Sequence, residues 1–368
     1  MGLDSSAVHT LLERARREVD AGLLPSCQIA LAIEGELVVF GTFGDADDDT
    51  RYVVYSATKA FVAGAMWALI GDGLVDTKLP VVAYVPEFGT NGKDAVTVEH
   101  VMLHTAGFPQ APLTVLDGDT SAGRCAAFAR WRLDWEPGRE YQYHPSSAHW
   151  VLAEIIERVT GEDFRDVVEQ RVTRPAGLPR VLGDVASPIA ELVAVGEPAS
   201  PDELEAAFGV RELDLGEVTT EALLSFNDPA IRRVGMPGGG AVMRASDLAL
   251  FYQAVLHNPG EMWKPDVLDD ARTNVRNRLP DRISRVPANR TLGLLQAGDD
   301  GFSHMRGMGR TVAPGTIGHN GAKGQIAWGD PVSGLSLGYC TNGLDEHAVR
   351  EPRRTTAIAS LAAVCRAR

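Results

Sequence analysis

No C-x-x-C pair, no apolar run approaching the length of a membrane span and no excess of basic residues occur in this chain of 368 residues, and each absence closes off a class of function. The four cysteines, Cys27, Cys125, Cys340 and Cys365, lie far apart, which excludes a zinc ribbon and a disulfide scaffold and reads as free, mostly buried thiols. A net charge of −14 and a pI near 5.1 leave no basic footprint for nucleic acid or an anionic membrane, so small neutral or cationic partners fit better. The N-terminus is polar and amphipathic where a leader would be basic and then greasy, so the expectation is a soluble, cytoplasmic protein. Gly238-Gly-Gly240 lacks the following Lys-Ser/Thr of a phosphate loop and reads as tight backbone packing. His100 and His104 have zinc-like i,i+4 spacing without the intervening glutamate or an obvious third ligand, and Asp45-Ala-Asp-Asp-Asp49 reads as a solvated loop. Neither a metal nor a cofactor is expected, and the oligomeric state is left open.

What is present is enough apolar sequence, 45% hydrophobic residues against 23% charged, to bury one large core arranged as two lobes. Residues 6–21 form an amphipathic pattern behind Ser5/Ser6. The segments 27–33 and 37–40 flank the turn pair Glu34-Gly35 as a hairpin, and 324–330 and 334–339 flank Pro331-Val-Ser333 as another, followed by a helix from Pro352 to about Cys365. Strands and a helix at each end predict an α+β fold: one antiparallel sheet from both chain ends, flanked by terminal helices, with an inserted and mostly helical lobe. The domain reading is 1–80 with 288–368 for the sheet and 81–287 for the insertion, with helices at 98–103, 122–131 and 148–159, an irregular acidic stretch across 180–235, and the active site in the cleft between.

The most informative motif is Ser56-Ala57-Thr58-Lys59. At the start of a helix a serine and a lysine three apart share a face, so the amine reaches the hydroxyl. A serine hydroxyl becomes a nucleophile only when a base takes its proton, and a lysine serves only if burial or nearby cations push its pKa toward neutrality. The short extended run Tyr52-Val-Val-Tyr55 precedes the serine and an apolar helical run ending at Gly71 follows, which places Ser56 at a helix N-terminus that favours developing negative charge.

Two further stations stand out. Tyr141-Gln-Tyr143-His-Pro-Ser-Ser-Ala-His149 is a turn-to-helix junction that can present a tyrosine hydroxyl to a cleft, and Gly318-His319-Asn320-Gly321-Ala322-Lys323-Gly324 is a glycine-rich approach to a strand. Together with Val98-Glu-His-Val-Met-Leu-His-Thr-Ala-Gly-Phe108 and Pro237-Gly-Gly-Gly240 through Ser246-Asp-Leu-Ala249, these stations resemble the serine beta-lactamase and penicillin-binding-protein-like superfamily. The resemblance is to its class C-like branch, which contains family VIII carboxylesterases, and it spans roughly residues 50–342.

That resemblance implies a beta-lactamase/transpeptidase-like fold with Ser56 as acyl acceptor and Lys59 as its activator. Tyr143 would be a second proton carrier whose pKa the charge of Lys59 lowers, with Tyr141 as the fallback. Backbone N–H groups of Ser56 and Ala322 would form an oxyanion hole. His319, Asn320 and Gly321 would line the substrate site, His319 standing where penicillin-recognising relatives place a lysine. The family's Y-x-N reads Tyr143-His144-Pro145 here, or reaches Ser146 if the spacing is one residue longer. Both departures remove groups that recognise penicillins. The implied activity is therefore hydrolysis of small carboxylic esters through an acyl-enzyme, with no cofactor and a small-molecule ester as partner. Acyl transfer, D-amino-acid peptidase or amidase activity with weak beta-lactam turnover, and a non-catalytic penicillin-binding-like sensor are the alternatives. Trp263, Phe302 and Met305 are candidate shapers of the acyl pocket.

Overall fold

The computed structural model describes residues 2–213 and 216–366. A helix over Ser5–Asp20 leads into the strands Ser26–Ile33 and Glu36–Gly44, turned by Glu34 and Gly35, both at positive φ (53° and 83°), as a tight hairpin requires. Its N-cap is Asp4, whose carboxylate accepts from the backbone N–H groups of Ser6 and Ala7, and not the expected Ser5/Ser6 pair, because the helix begins one residue sooner than the hydrophobic pattern indicates.

The six-stranded sheet runs, edge to edge, Glu36–Gly44, Ser26–Ile33, Leu335–Thr341, Ile326–Gly329, Ile317–Gly318 and Leu295–Gln296. Its central pairing is antiparallel and joins the two chain ends, with Ile29 opposite Tyr339 and Ala32 opposite Ser336. Ser26–Ile33 is buried along its whole length, because both faces of the sheet are covered. One face carries the helices Ser5–Asp20 and Arg350–Ala362, which enclose a core of Leu11, Ile29, Leu31, Trp328, Leu337 and Ile358. Against the other lies Ala245–His257, tied down by Gln253 Nε2 donating to Ala32 O and by Ser336 Oγ donating to Ala249 O. That helix comes from the stretch assigned by sequence to the inserted lobe, and it packs on the sheet.

The remaining middle segment is helical at Val98–Met102, Ser121–Arg130 and Ser147–Thr160, as the periodicity indicated. The acidic 180–235 stretch is less irregular than its pattern suggests: it holds a strand at Val193–Val195 and short helices at Pro201–Phe208, Thr220–Leu224 and Pro229–Val234. These are too short to show a period, although Ser200 and Glu203 form a capping box that is legible in the residues themselves. All four cysteines are free, and three of them are buried. Among the described residues no helix is long and apolar enough to cross a membrane, and no group of three or more acidic, histidine or cysteine side chains could hold a metal ion.

Candidate active site

The chain reaches Ser56 through two residues paired with a partner strand and one strained turn. Tyr52 and Val53 pair with Met243 and Val242, and Val54 N–H donates to Ala241 O at 2.9 Å. Tyr55 then takes a φ of +44°, a conformation that costs a non-glycine residue energy and concentrates at functional sites. Its ring is held edge-on to Phe226 and its hydroxyl donates to Leu223 O. The turn throws Ser56 into a single turn of 3-10 helix, Tyr55–Ala57, which continues as the α-helix Thr58–Gly71. That helix is apolar and buried on nearly all sides, so Lys59 is carried inward with it and is 0% exposed.

Lys59 Nζ lies 3.2 Å from Ser56 Oγ and donates at 2.6 Å to both Pro145 O and Gly238 O. Burial first, and the nearby charge of Arg290 second, hold its pKa well below the ordinary lysine value, opposed in part by Glu217. A neutral amine has two N–H bonds and one lone pair. In that form, the one burial favours, the two carbonyls take the N–H bonds and the lone pair faces Ser56 Oγ, as a general base requires. Gly238 is a glycine for this reason: a Cβ there would sit 3.0 Å from Pro145 O and 3.4 Å from Lys59 Nζ.

Tyr143 stands on the other side. Its ring centre is 5.1 Å from Lys59 Nζ and 5.3 Å from the Arg290 guanidinium, and it stacks on His104 at 4.9 Å. Desolvation raises its pKa above the usual tyrosine value; the neighbouring Ser56 hydroxyl and then Arg290 lower it in part. The Ser56 and Tyr143 oxygens come near one another without the geometry of a hydrogen bond, and Tyr143 Oη is buried and unpartnered. The expected lowering of this pKa by the lysine's charge is therefore not what the site shows: both groups are buried, and burial favours the neutral form of each. Tyr141, the fallback, accepts a hydrogen bond from Arg290 Nε at 3.1 Å and is not aimed at Ser56.

The segments that carried the family resemblance each hold part of this arrangement. His144 Nε2 accepts from Phe108 N–H, and Ser147 Oγ donates to Phe108 O, which clamps the Tyr143 turn to the 98–108 segment. Gly321 passes so close to the chain before Ser56 that a Cβ would collide with Val54 O, and this brings Ala322 onto the wall of the cavity that holds Ser56. His319 is only 4% exposed and stands 5.9 Å from the Tyr143 ring, centre to centre, behind that wall. Asn320 is tied to the backbone, donating to Gly307 O and accepting from Ala327 N–H, so its amide holds the loop. The histidines His104, His144, His149 and His319 are all held below their ordinary pKa, chiefly by burial.

The cavity at Ser56 has a volume of about 230 Å³. Its walls are mostly apolar, including Tyr55, Leu113, Val115, Leu223, Phe226 and Met236, with Ser146 and Glu217 as polar points. Ser146, not Pro145, presents a side-chain hydrogen-bonding group there, and its hydroxyl donates to Glu217 at 2.7 Å. Trp263 is buried in the core against the far side of the Thr58–Gly71 helix, its indole N–H on Gly64 O, while Phe302 and Met305 are exposed; none of the three lines the cavity. Two residues escaped the sequence reading. Arg290 sits in a loop without a motif, and Glu217 in the acidic stretch without periodicity, so neither gave a local signal.

Comparison with known proteins agrees with this geometry. A family profile described as Beta-lactamase matches residues 12–362. The chain is 29% identical over 351 residues to Esterase/beta-lactamase LipL of Mycobacterium tuberculosis, covering 86% of this chain and 76% of that protein. It is 28% identical over 248 residues to Esterase EstB of Burkholderia gladioli, covering 61% of each. Among solved structures, a penicillin-binding protein homologue from Caulobacter crescentus superposes with a TM-score of 0.77 at 25% identity over 98% of both chains. A family VIII carboxylesterase superposes with 0.75 at 24% identity, also over 98% of both. With its helices and antiparallel sheet in the beta-lactamase/transpeptidase-like arrangement, the chain belongs to the beta-lactamase family.

Proposed function

We propose that this protein hydrolyses small carboxylic esters through an acyl-enzyme on Ser56. The observation that carries the reading is the buried amine of Lys59, 3.2 Å from Ser56 Oγ and anchored on Pro145 O and Gly238 O, beside a mostly apolar cavity whose lining contains no cationic side chain among the described residues. Ser56 Oγ attacks the ester carbonyl while its proton passes to Lys59 Nζ. Tyr143, held as a neutral phenol, gives its proton to the departing alkoxide and is reprotonated from Lys59. Water then attacks the acyl carbonyl, its proton taken up by the same pair, and the acid leaves as Ser56 regains its hydrogen. Backbone N–H groups of Ser56 and Ala322 supply the oxyanion hole, each worth about 3 kcal/mol in the transition state. The esterases LipL and EstB among the relatives support the ester reading.

The test is turnover of para-nitrophenyl acetate and butyrate by wild type and Ser56→Ala, with mass spectrometry of the trapped intermediate. Wild type is expected to turn over both esters and to carry the acyl group on Ser56, and Ser56→Ala to fall to the uncatalysed rate. Equal rates in the two proteins would remove Ser56 from the chemistry.

A further inference from the structure

Within the cavity wall, Glu217 is the one charge-bearing side chain among the described residues, and nothing in the proton path above uses it. It lies in the acidic stretch and reaches back to Ser146, the residue next to Pro145, whose carbonyl holds Lys59. Glu217 is therefore within the same small enclosure as Ser56 and on the side of the Tyr143 turn. Among the described residues it makes no ion pair. Its hydrogen bond comes from a neutral hydroxyl, and the amine of Lys59 is directed at Ser56, Pro145 and Gly238 and not at the Glu217 carboxyl. Burial pushes the Glu217 carboxyl above its ordinary pKa, while Ser146 and Lys59 pull it back. A carboxylate in an apolar wall without an ion-pair partner is unfavourable to keep, and a ligand that brings a positive charge into contact relieves that cost. The net charge of −14 adds a field that gathers cations toward such a site.

Resting on the ester-hydrolase reading, we infer that Glu217 selects esters carrying an ammonium group a few bonds from the scissile carbonyl. The apolar walls formed by Leu113, Val115, Leu223, Phe226 and Met236 accept the methylenes or methyls around the nitrogen, and the carboxylate accepts its charge. The ammonium group can reside on the acyl or the alcohol side, and the same carboxylate chemistry serves both.

Two matched pairs of substrates read this directly. Butyrylcholine against 3,3-dimethylbutyl butyrate, which replaces the nitrogen with carbon, tests the alcohol side. The para-nitrophenyl ester of 4-(trimethylammonio)butyrate against that of 5,5-dimethylhexanoate tests the acyl side. In wild type, kcat/KM for the cationic member of at least one pair is expected to exceed that for its neutral twin by on the order of tenfold. In Glu217→Gln that ratio falls toward one, and in Glu217→Lys it inverts. No preference in either pair, or a preference that survives Glu217→Gln, would overturn the inference. Ser56-dependent hydrolysis of the neutral esters in wild type reports separately on the ester-hydrolase reading. Titration calorimetry of butyrylcholine and its carbon isostere onto Ser56→Ala, with and without Glu217→Gln, gives the same comparison without turnover: loss of the cation preference on adding Glu217→Gln supports the inference, and its absence or persistence overturns it.

Discussion

In the proposed mechanism Lys59 is the residue on which the site turns, because its protonation state decides whether Ser56 has a base. Buried and beside Arg290, its folded pKa lies well below the ordinary 10.5. An amine must be unprotonated to accept a proton, so kcat/KM for a neutral ester is expected to rise with pH and level off once the pH passes that lowered value. Arg290→Met removes a cation that favours the neutral amine, so the rising limb should move to higher pH; a pH-rate profile checks this. A lower rate with an unmoved limb would make Arg290 merely structural. Lys59→Ala and Tyr143→Phe should each lower kcat by about 10²–10⁴, measured with para-nitrophenyl butyrate, while unchanged circular dichroism shows that the fold survives. Gly238→Ala should lower kcat too, by about tenfold or more, since the added methyl pushes Pro145 O and Lys59 Nζ from their positions while touching no substrate.

At the scale of the element, the helix Thr58–Gly71 does two jobs: it places Lys59 below Ser56 and forms the centre of the larger core. Trp67 and Trp263 meet edge to face at 5.5 Å, and each indole N–H finds a backbone carbonyl, on Leu292 and Gly64. Trp263→Ala should therefore cost about 3–5 kcal/mol of stability, read as a fall in the urea midpoint, and should reduce activity only through loss of folded protein. Much of this was legible beforehand. The spacing of Ser56 and Lys59 gave the shared face, the all-round apolar run gave the buried helix, and Glu34-Gly35 gave the hairpin. What stayed hidden depends on contacts across the fold. The neutrality of Tyr143, the charge of Arg290 and the carboxyl of Glu217 become meaningful only when loops from 141–147, 217 and 290 converge, and no local pattern encodes that convergence. Asn320 shows something else a motif does not reveal: its position suggested a substrate contact, and in the fold its amide also holds the loop through Gly307 and Ala327.

Across the whole molecule, the four buried histidines around Tyr143 make stability depend on mild acid. For each, the folded pKa lies below the ordinary 6.5, and for His144 it is pushed down to about 3. Between those values the unfolded chain binds protons that the folded chain does not. Stability present above pH 6.5 is therefore lost as the pH falls, by up to about 1.4 kcal/mol per pH unit for each histidine. Urea denaturation at pH 7 and pH 5 is expected to show a clearly lower midpoint at pH 5; an unchanged midpoint would mean that these rings are protonated in the folded state.

The pairing of Ser26–Ile33 with Leu335–Thr341 also shapes how the chain comes to be folded. During synthesis the first of these strands emerges about 300 residues ahead of its neighbour, with an apolar edge and nothing to close it. The early hairpin must wait, shielded by the terminal helix or by a chaperone, until nearly the last of the sheet has left the ribosome.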